Sequence, residues 1–168
     1  MSTGETVALE CGLLRLEVAP TEGGCILGFQ RSGFDLMRMT RPPIGAAGDT
    51  ACFPLVPFSG RIDHARFFWQ GRDYQIPVSS HQSPHAIHGH GSTSAWTVDR
   101  LGRTSLHISY RYNAPDWPFP YRAWQFFELG EDALIATIGL QNEGDQVMPA
   151  GLGLHPYFDR TAGVELTA

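Results

Sequence analysis

Glycine and proline punctuate this chain so densely that no run of about ten residues keeps a 3.6-residue apolar period, which leaves no convincing helix. There are 19 Gly and 12 Pro among 168 residues, spread along the whole length. What recurs instead is alternation. Leu14, Leu16 and Val18 alternate with Arg15 and Glu17, and Leu106, Ile108, Tyr110 and Tyr112 alternate with Ser105, His107, Ser109 and Arg111. Ala123, Gln125 and Phe127 interleave with Trp124, Phe126 and Glu128, and Leu134, Ala136, Ile138 and Leu140 with Ile135 and Thr137. Successive side chains of a strand point to opposite faces, so each run predicts a half-buried strand. Residues 24–30 predict another. Phe67-Phe68-Trp69, then Gln70-Gly71-Arg72, then Tyr74-Gln75-Ile76 predicts a hairpin with Gly in its turn. Residues 41–49 and 79–94 carry little periodicity. Many short strands separated by Gly/Pro turns indicate an all-β fold, an antiparallel β-sandwich. Residues 164–168 read as the opening of one further strand.

Charge and composition exclude several function classes. Twelve basic residues, all Arg, stand against 17 acidic ones, for a net charge of −5. A mildly acidic chain without basic runs is a poor match for nucleic acid or an anionic membrane, because phosphate binding needs clustered positive charge. With 42% hydrophobic and only 17% charged residues, the chain is not of the disordered class. No run of 18 apolar residues is present, and residues 1–20 lack a basic start followed by an apolar stretch. The expected location is therefore cytoplasmic. Cys11, Cys25 and Cys52 cannot all pair and form no Cys-x-x-Cys, so they are expected to be reduced and packed as small hydrophobes.

Four segments carry groups suited to chemistry. The first is the histidine-rich loop with His81, His85, His88 and His90. Its spacing loosely suggests a metal site, and on a strand His88 and His90 would face one side. No acidic residue lies between Asp73 and Asp99 and no cysteine is near, so no metal is expected. His88 stands out because it opens a His-Gly-His-Gly run, in which glycine lets the backbone bend or approach a ligand closely. The second is His155, at the end of the apolar run from Gly151 to Leu154 and followed by Pro156. Proline ends regular pairing, which places His155 where a strand leaves its sheet. The competing reading is a core histidine satisfied by a carbonyl. The third is Arg61, set among apolar residues and prolines; its planar fork of five donors suits carboxylates or vicinal hydroxyls, against a plain surface arginine. The fourth is Trp117-Pro118-Phe119-Pro120-Tyr121, where Trp117 is either a sugar-stacking platform or core packing.

Taken in order, these segments resemble the aldose 1-epimerase (galactose mutarotase) family over nearly the whole chain. The order is Gly23-Gly24, Phe53-Pro54-Leu55, Ser59-Gly60-Arg61-Ile62, Phe67 to Tyr74, Ala86-Ile87-His88-Gly89 with Trp96, Trp117 to Tyr121, Met148 to Gly153, and His155-Pro156-Tyr157-Phe158. The resemblance implies a single sandwich domain across residues 1–168, incomplete at its C-terminal side, and an isomerase of carbohydrate metabolism. It interconverts the α and β anomers of an aldohexose without metal or organic cofactor. A base takes the proton of the C1 hydroxyl, an acid protonates the ring oxygen, the ring opens, C1 rotates, and the ring closes on its other face. By the same resemblance His155 is the acid, His88 helps bind and polarise the sugar at that oxygen, and Arg61 holds ring hydroxyls. Trp117 and His90 are further candidate substrate contacts.

Two departures from the family pattern are expected to matter. Gly60 stands where the family has Asn before the arginine, which removes a hydrogen-bonding side chain. The family's glutamate base belongs to a C-terminal half that has no counterpart in these residues, and Glu165 does not match its context. Two alternatives stay open: a carbohydrate-binding module without catalysis, and a phosphosugar epimerase of the same superfamily, for which only Arg61, Arg66 and Arg72 supply nearby positive charge. Half a sandwich also exposes sheet edges, so the expected partners are a small aldose and, through those edges, other copies of the chain.

Overall fold

The computed structural model describes residues 5–41, 43–78, 83–160, 163 and 165. Among these there is no α-helix. Fourteen strands fall in the order β1 (Val7–Cys11), β2 (Leu14–Ala19), β3 (Cys25–Arg31), β4 (Phe34–Asp35), β5 (Cys52–Leu55), β6 (Arg61–Ile62), β7 (Arg66–Trp69), β8 (Arg72–Gln75), β9 (Ala86–Ile87), β10 (Thr97–Leu101), β11 (Ser105–Tyr112), β12 (Tyr121–Leu129), β13 (Leu134–Asn142) and β14 (Gly153–Pro156). Three single 3₁₀ turns, Ala47–Asp49, Asp63–Ala65 and Gly91–Thr93, interrupt the loops.

One sheet runs β1-β2-β3-β5-β14, with β4 folded back on β3; the other is the meander β10-β11-β12-β13. Both are antiparallel throughout. The period-two residues fill the space between them. Leu9, Leu16, Val18 and Ile26 of the first sheet join Leu106, Ile108, Tyr121, Ala123 and Phe127 of the second in one core. Each of the Leu, Val, Ile and Phe side chains among these contributes about 1.5–3 kcal/mol on leaving water, which commits both sheets to a fixed register. The expected all-β antiparallel sandwich is the fold observed.

Element by element, the alternating runs became β2, β11, β12 and β13, and residues 24–30 became β3. The hairpin is β7–β8, closed by Gln70 and Gly71, both at positive φ (48° and 78°), as a tight two-residue turn requires. Strand β5 has no period-two pattern because all four of its residues are buried. It contains Pro54, tolerated because β3 and β5 pair only at Ile26↔Cys52, so the missing N–H falls where that ladder has ended. His81 and most of the strand expected over 164–168 lie outside the described residues; Glu165, which is described, is exposed and not in a strand.

Candidate functional site

Two ladders deliver the two histidines. In the first, β14 lies antiparallel on β5 and puts His155 opposite Phe53. Their rings stack at 4.7 Å between centroids and 11° between planes. Tyr157 packs on the same imidazole at 4.8 Å. That tyrosine is held in turn by Arg38, whose guanidinium lies 4.0 Å over its ring and whose backbone N–H donates to the Tyr157 carbonyl at 2.9 Å. His155 therefore has little freedom to rotate.

The second ladder is β6–β9, which pairs Arg61 with Ile87 and Ile62 with Ala86. Beyond its inner end His88 donates its backbone N–H to the Gly60 carbonyl at 3.0 Å. The Gly60 N–H donates back to His88 Nδ1 at 3.1 Å. Nδ1 thus acts as an acceptor, so the neutral ring carries its proton on Nε2 and can donate it outward. His88 is not on a strand: its φ is +62° and that of Gly89 is +70°. Glycine is required at 89 because a Cβ there would lie 2.2 Å from the Val56 carbonyl oxygen.

The outcome is a pair. His88 and His155 meet edge to face, with ring centroids 5.6 Å apart and planes at 76°. Phe53 touches both, its ring 6.0 Å from that of His88. Burial, the neighbouring His155 and Arg61 together hold the His88 imidazole below its ordinary range, so it stays neutral at pH 7. Arg61 itself is exposed and has no carboxylate partner among the described residues. The nearby thiols of Cys52 and Cys25 are both pushed up to about 12, chiefly by burial, and are unreactive. All three cysteines are free, as expected.

His90 goes elsewhere. The left-handed turn at His88 and Gly89 separates the two side chains that a strand would have kept on one face. The His90 ring stacks on Tyr112 at 4.1 Å and 5° and meets Trp117 edge-on at 5.9 Å. Its Nδ1 lies 3.3 Å from the Tyr121 hydroxyl, which is 2.6 Å from that of Tyr110. Burial pushes the His90 imidazole down, partly opposed by Asp116. Trp117 is 3% exposed, and its Nε1 has no partner among the described residues. With Phe58, Ile62 and Phe67 it lines an apolar groove of about 260 Å³ that includes neither His88 nor His155. The structure thus joins His88, His155 and Arg61 in one group, and His90 and Trp117 in an adjoining aromatic one. Phe53 and Tyr157, which hold the pair, belong to the motifs that carry the resemblance but have no role assigned from sequence; only the strand register puts Phe53 against His155.

Comparison with known proteins gives a consistent result. Residues 9–167 match the family model for aldose 1-epimerase. The uncharacterised Escherichia coli K12 proteins YphB and YihR are 38% and 29% identical, over 89% and 93% of this chain. The chain spans about half the length of these relatives, 50% and 51%. A candidate aldose 1-epimerase of E. coli K12 superposes with a TM-score of 0.85 at 37% identity, covering 92% of this chain and 52% of that one. The galactose mutarotase related enzyme of Lactobacillus acidophilus shares the fold at 18% identity, with a TM-score of 0.76 over 96% of this chain and 52% of its own.

Proposed function

The chain belongs to the aldose 1-epimerase family, and on that premise we propose that it supplies the acid side of an aldohexose mutarotation site. His155 protonates the ring oxygen of the pyranose and takes the proton back as the ring closes. Imidazole suits this task because it titrates near neutrality and can both give and accept a proton at pH 7. His88, neutral and with Nε2–H outward, donates a hydrogen bond to the same oxygen and draws charge from it as the C1–O bond breaks. Arg61 binds ring hydroxyls through its unpaired fork and fixes the sugar's orientation.

One observation carries this reading: the contact of His88 with His155 at 5.6 Å, one ring locked by Phe53 and Tyr157 and the other oriented by Gly60. Two rigid imidazoles beside an unpaired arginine form a group that can serve one oxygen and its neighbouring hydroxyls. Mutarotation also needs a base at the C1 hydroxyl. Among the described residues no carboxylate forms an ion pair with His88, His155 or Arg61.

That same feature favours a second reading, a sugar-binding module that orients an aldose without turning it over. Polarimetry with freshly dissolved α-glucose and α-galactose separates them. The enzyme reading expects decay of rotation faster than the spontaneous rate, and a loss of at least about 100-fold in His155→Ala. Equal rates for His155→Ala and the parent chain would remove the acid role. Calorimetric sugar binding without any acceleration would establish the module instead.

A further inference from the structure

The outer end of the β6–β9 ladder gathers a second set of ligating groups. Continuing the register Arg61↔Ile87 and Ile62↔Ala86 by one step sets Asp63 across from His85. The 3₁₀ turn that follows holds His64 at φ +47° and folds its ring back beside both. Asp63 Oδ1 lies 3.0 Å from His64 Nδ1 and 3.2 Å from His85 Nδ1. The two imidazoles face each other edge-on at 5.4 Å between centroids. One ligand atom from each of the three residues lies within 4.8 Å of the other two.

We propose that Asp63, His64 and His85 form a binding site for a divalent transition-metal ion of the zinc class. The spacing fits. Metal–ligand bonds of about 2.0–2.1 Å in a tetrahedral shell put neighbouring ligand atoms about 3.3 Å apart, close to the 3.0 and 3.2 Å separations here. The donor set also fits. Two imidazoles and one carboxylate suit zinc, cobalt, nickel or copper, whereas calcium and magnesium prefer oxygens alone.

His85 Nδ1 also accepts the His64 backbone N–H at 3.1 Å. An ion at this nitrogen replaces that bond, and the exposed His64 amide turns to water at small cost.

Asp63 and His64 are exposed and His85 is half-buried, so the ion exchanges freely and leaves coordination positions for water. The ion has no part in the reaction proposed above. It clamps the turn at one end of a ladder whose other end carries Arg61 and His88, and so raises the melting temperature by linkage.

Titration of the untagged, metal-free protein with Zn²⁺ by calorimetry, and with Co²⁺ by visible absorption, tests the site. One ion per chain is expected, with the absorption of a low-symmetry cobalt centre. Asp63→Ala and His85→Gln should each weaken binding by at least about tenfold. His64→Asn should do the same while retaining a residue that tolerates the left-handed backbone. All three positions are on the surface, and circular dichroism confirms that the variants fold. His155→Ala must leave the titration unchanged. The proposal fails if saturable binding tighter than about 1 mM is absent. It fails equally if the three variants bind like the parent chain, or if His155→Ala is the one that loses the ion.

Discussion

His88 holds a left-handed backbone and a hydrogen-bonded Nδ1, and these two features fix what its ring can do. With Gly60 donating to Nδ1, the outward nitrogen is a donor for as long as the ring is neutral. Burial, His155 and Arg61 all favour that neutral state. The depressed imidazole has a consequence for stability. As pH falls through about 6.5 the histidine of the unfolded chain takes up a proton, whereas the folded one resists it. The contribution is therefore complete above that pH and is lost below it. Melting temperatures measured from about pH 7.5 to about pH 5.5 should fall with pH, and His88→Asn should make the slope shallower. His90 is shifted the same way, so only part of the slope is removed. A slope unaltered by His88→Asn would mean that this ring is protonated as readily in the fold as outside it.

Strand β12 shows how an element can carry both a core and a specific tie. Its inner face, Tyr121, Ala123, Gln125, Phe127 and Leu129, is buried at every position. Four of the five are apolar; the fifth, Gln125, is 1% exposed. Its amide donates to the Gly24 carbonyl at 2.9 Å, across the interior from β12 to the turn that leads into β3. Gly24 is at φ +61°, and a Cβ there would lie 2.6 Å from that amide nitrogen. The polar pair and the glycine thus form one fitted unit that sets how the sheets face each other. Gln125→Leu keeps the volume but leaves the carbonyl without its donor, and should cost about 1–3 kcal/mol in denaturant unfolding. A loss of only a few tenths would show that the contact is replaced by water.

At the scale of the molecule, the second sheet ends in a long edge. β13 is nine residues, paired on one side with β12 and unpaired on the other among the described residues. Ile135, on its outer face, is 57% exposed. An unpaired strand edge beside an exposed apolar side chain is a template for another chain. We propose that the protein associates with itself through this edge. Light scattering should give a mass that rises with concentration, and Ile135→Lys should lower it, since a charged edge disfavours strand addition. A monomer at all concentrations would exclude the edge as an interface. The chain covers about half the length of its relatives, so the activity proposed for the site is tested on these residues as they stand.

The sequence by itself determined the architecture and the identity of the reactive groups. Alternation in Leu14–Val18 and Leu106–Tyr112 has one physical solution, a sheet with an apolar face, and two such faces close on each other. Glycine beside His88 marked that histidine as lying where regular structure stops; His155, expected at the point where a strand leaves its sheet, instead sits within the β14–β5 ladder, which continues through Pro156. Tertiary structure decided what faces what. The four apolar residues of β5 gave no period, because a strand buried on both sides has none. The separation of His90 from His88 depends on two consecutive positive φ values, which arise from the fit of Gly89 against Val56 and not from residue type alone. Asp63 reaches His85 only through the register of a two-residue ladder; twenty-two positions of chain separate them, and the histidine-rich loop itself contains no acid. Local pattern is written in neighbouring residues, whereas a site is made by contacts between distant ones, and these exist only once the chain has folded.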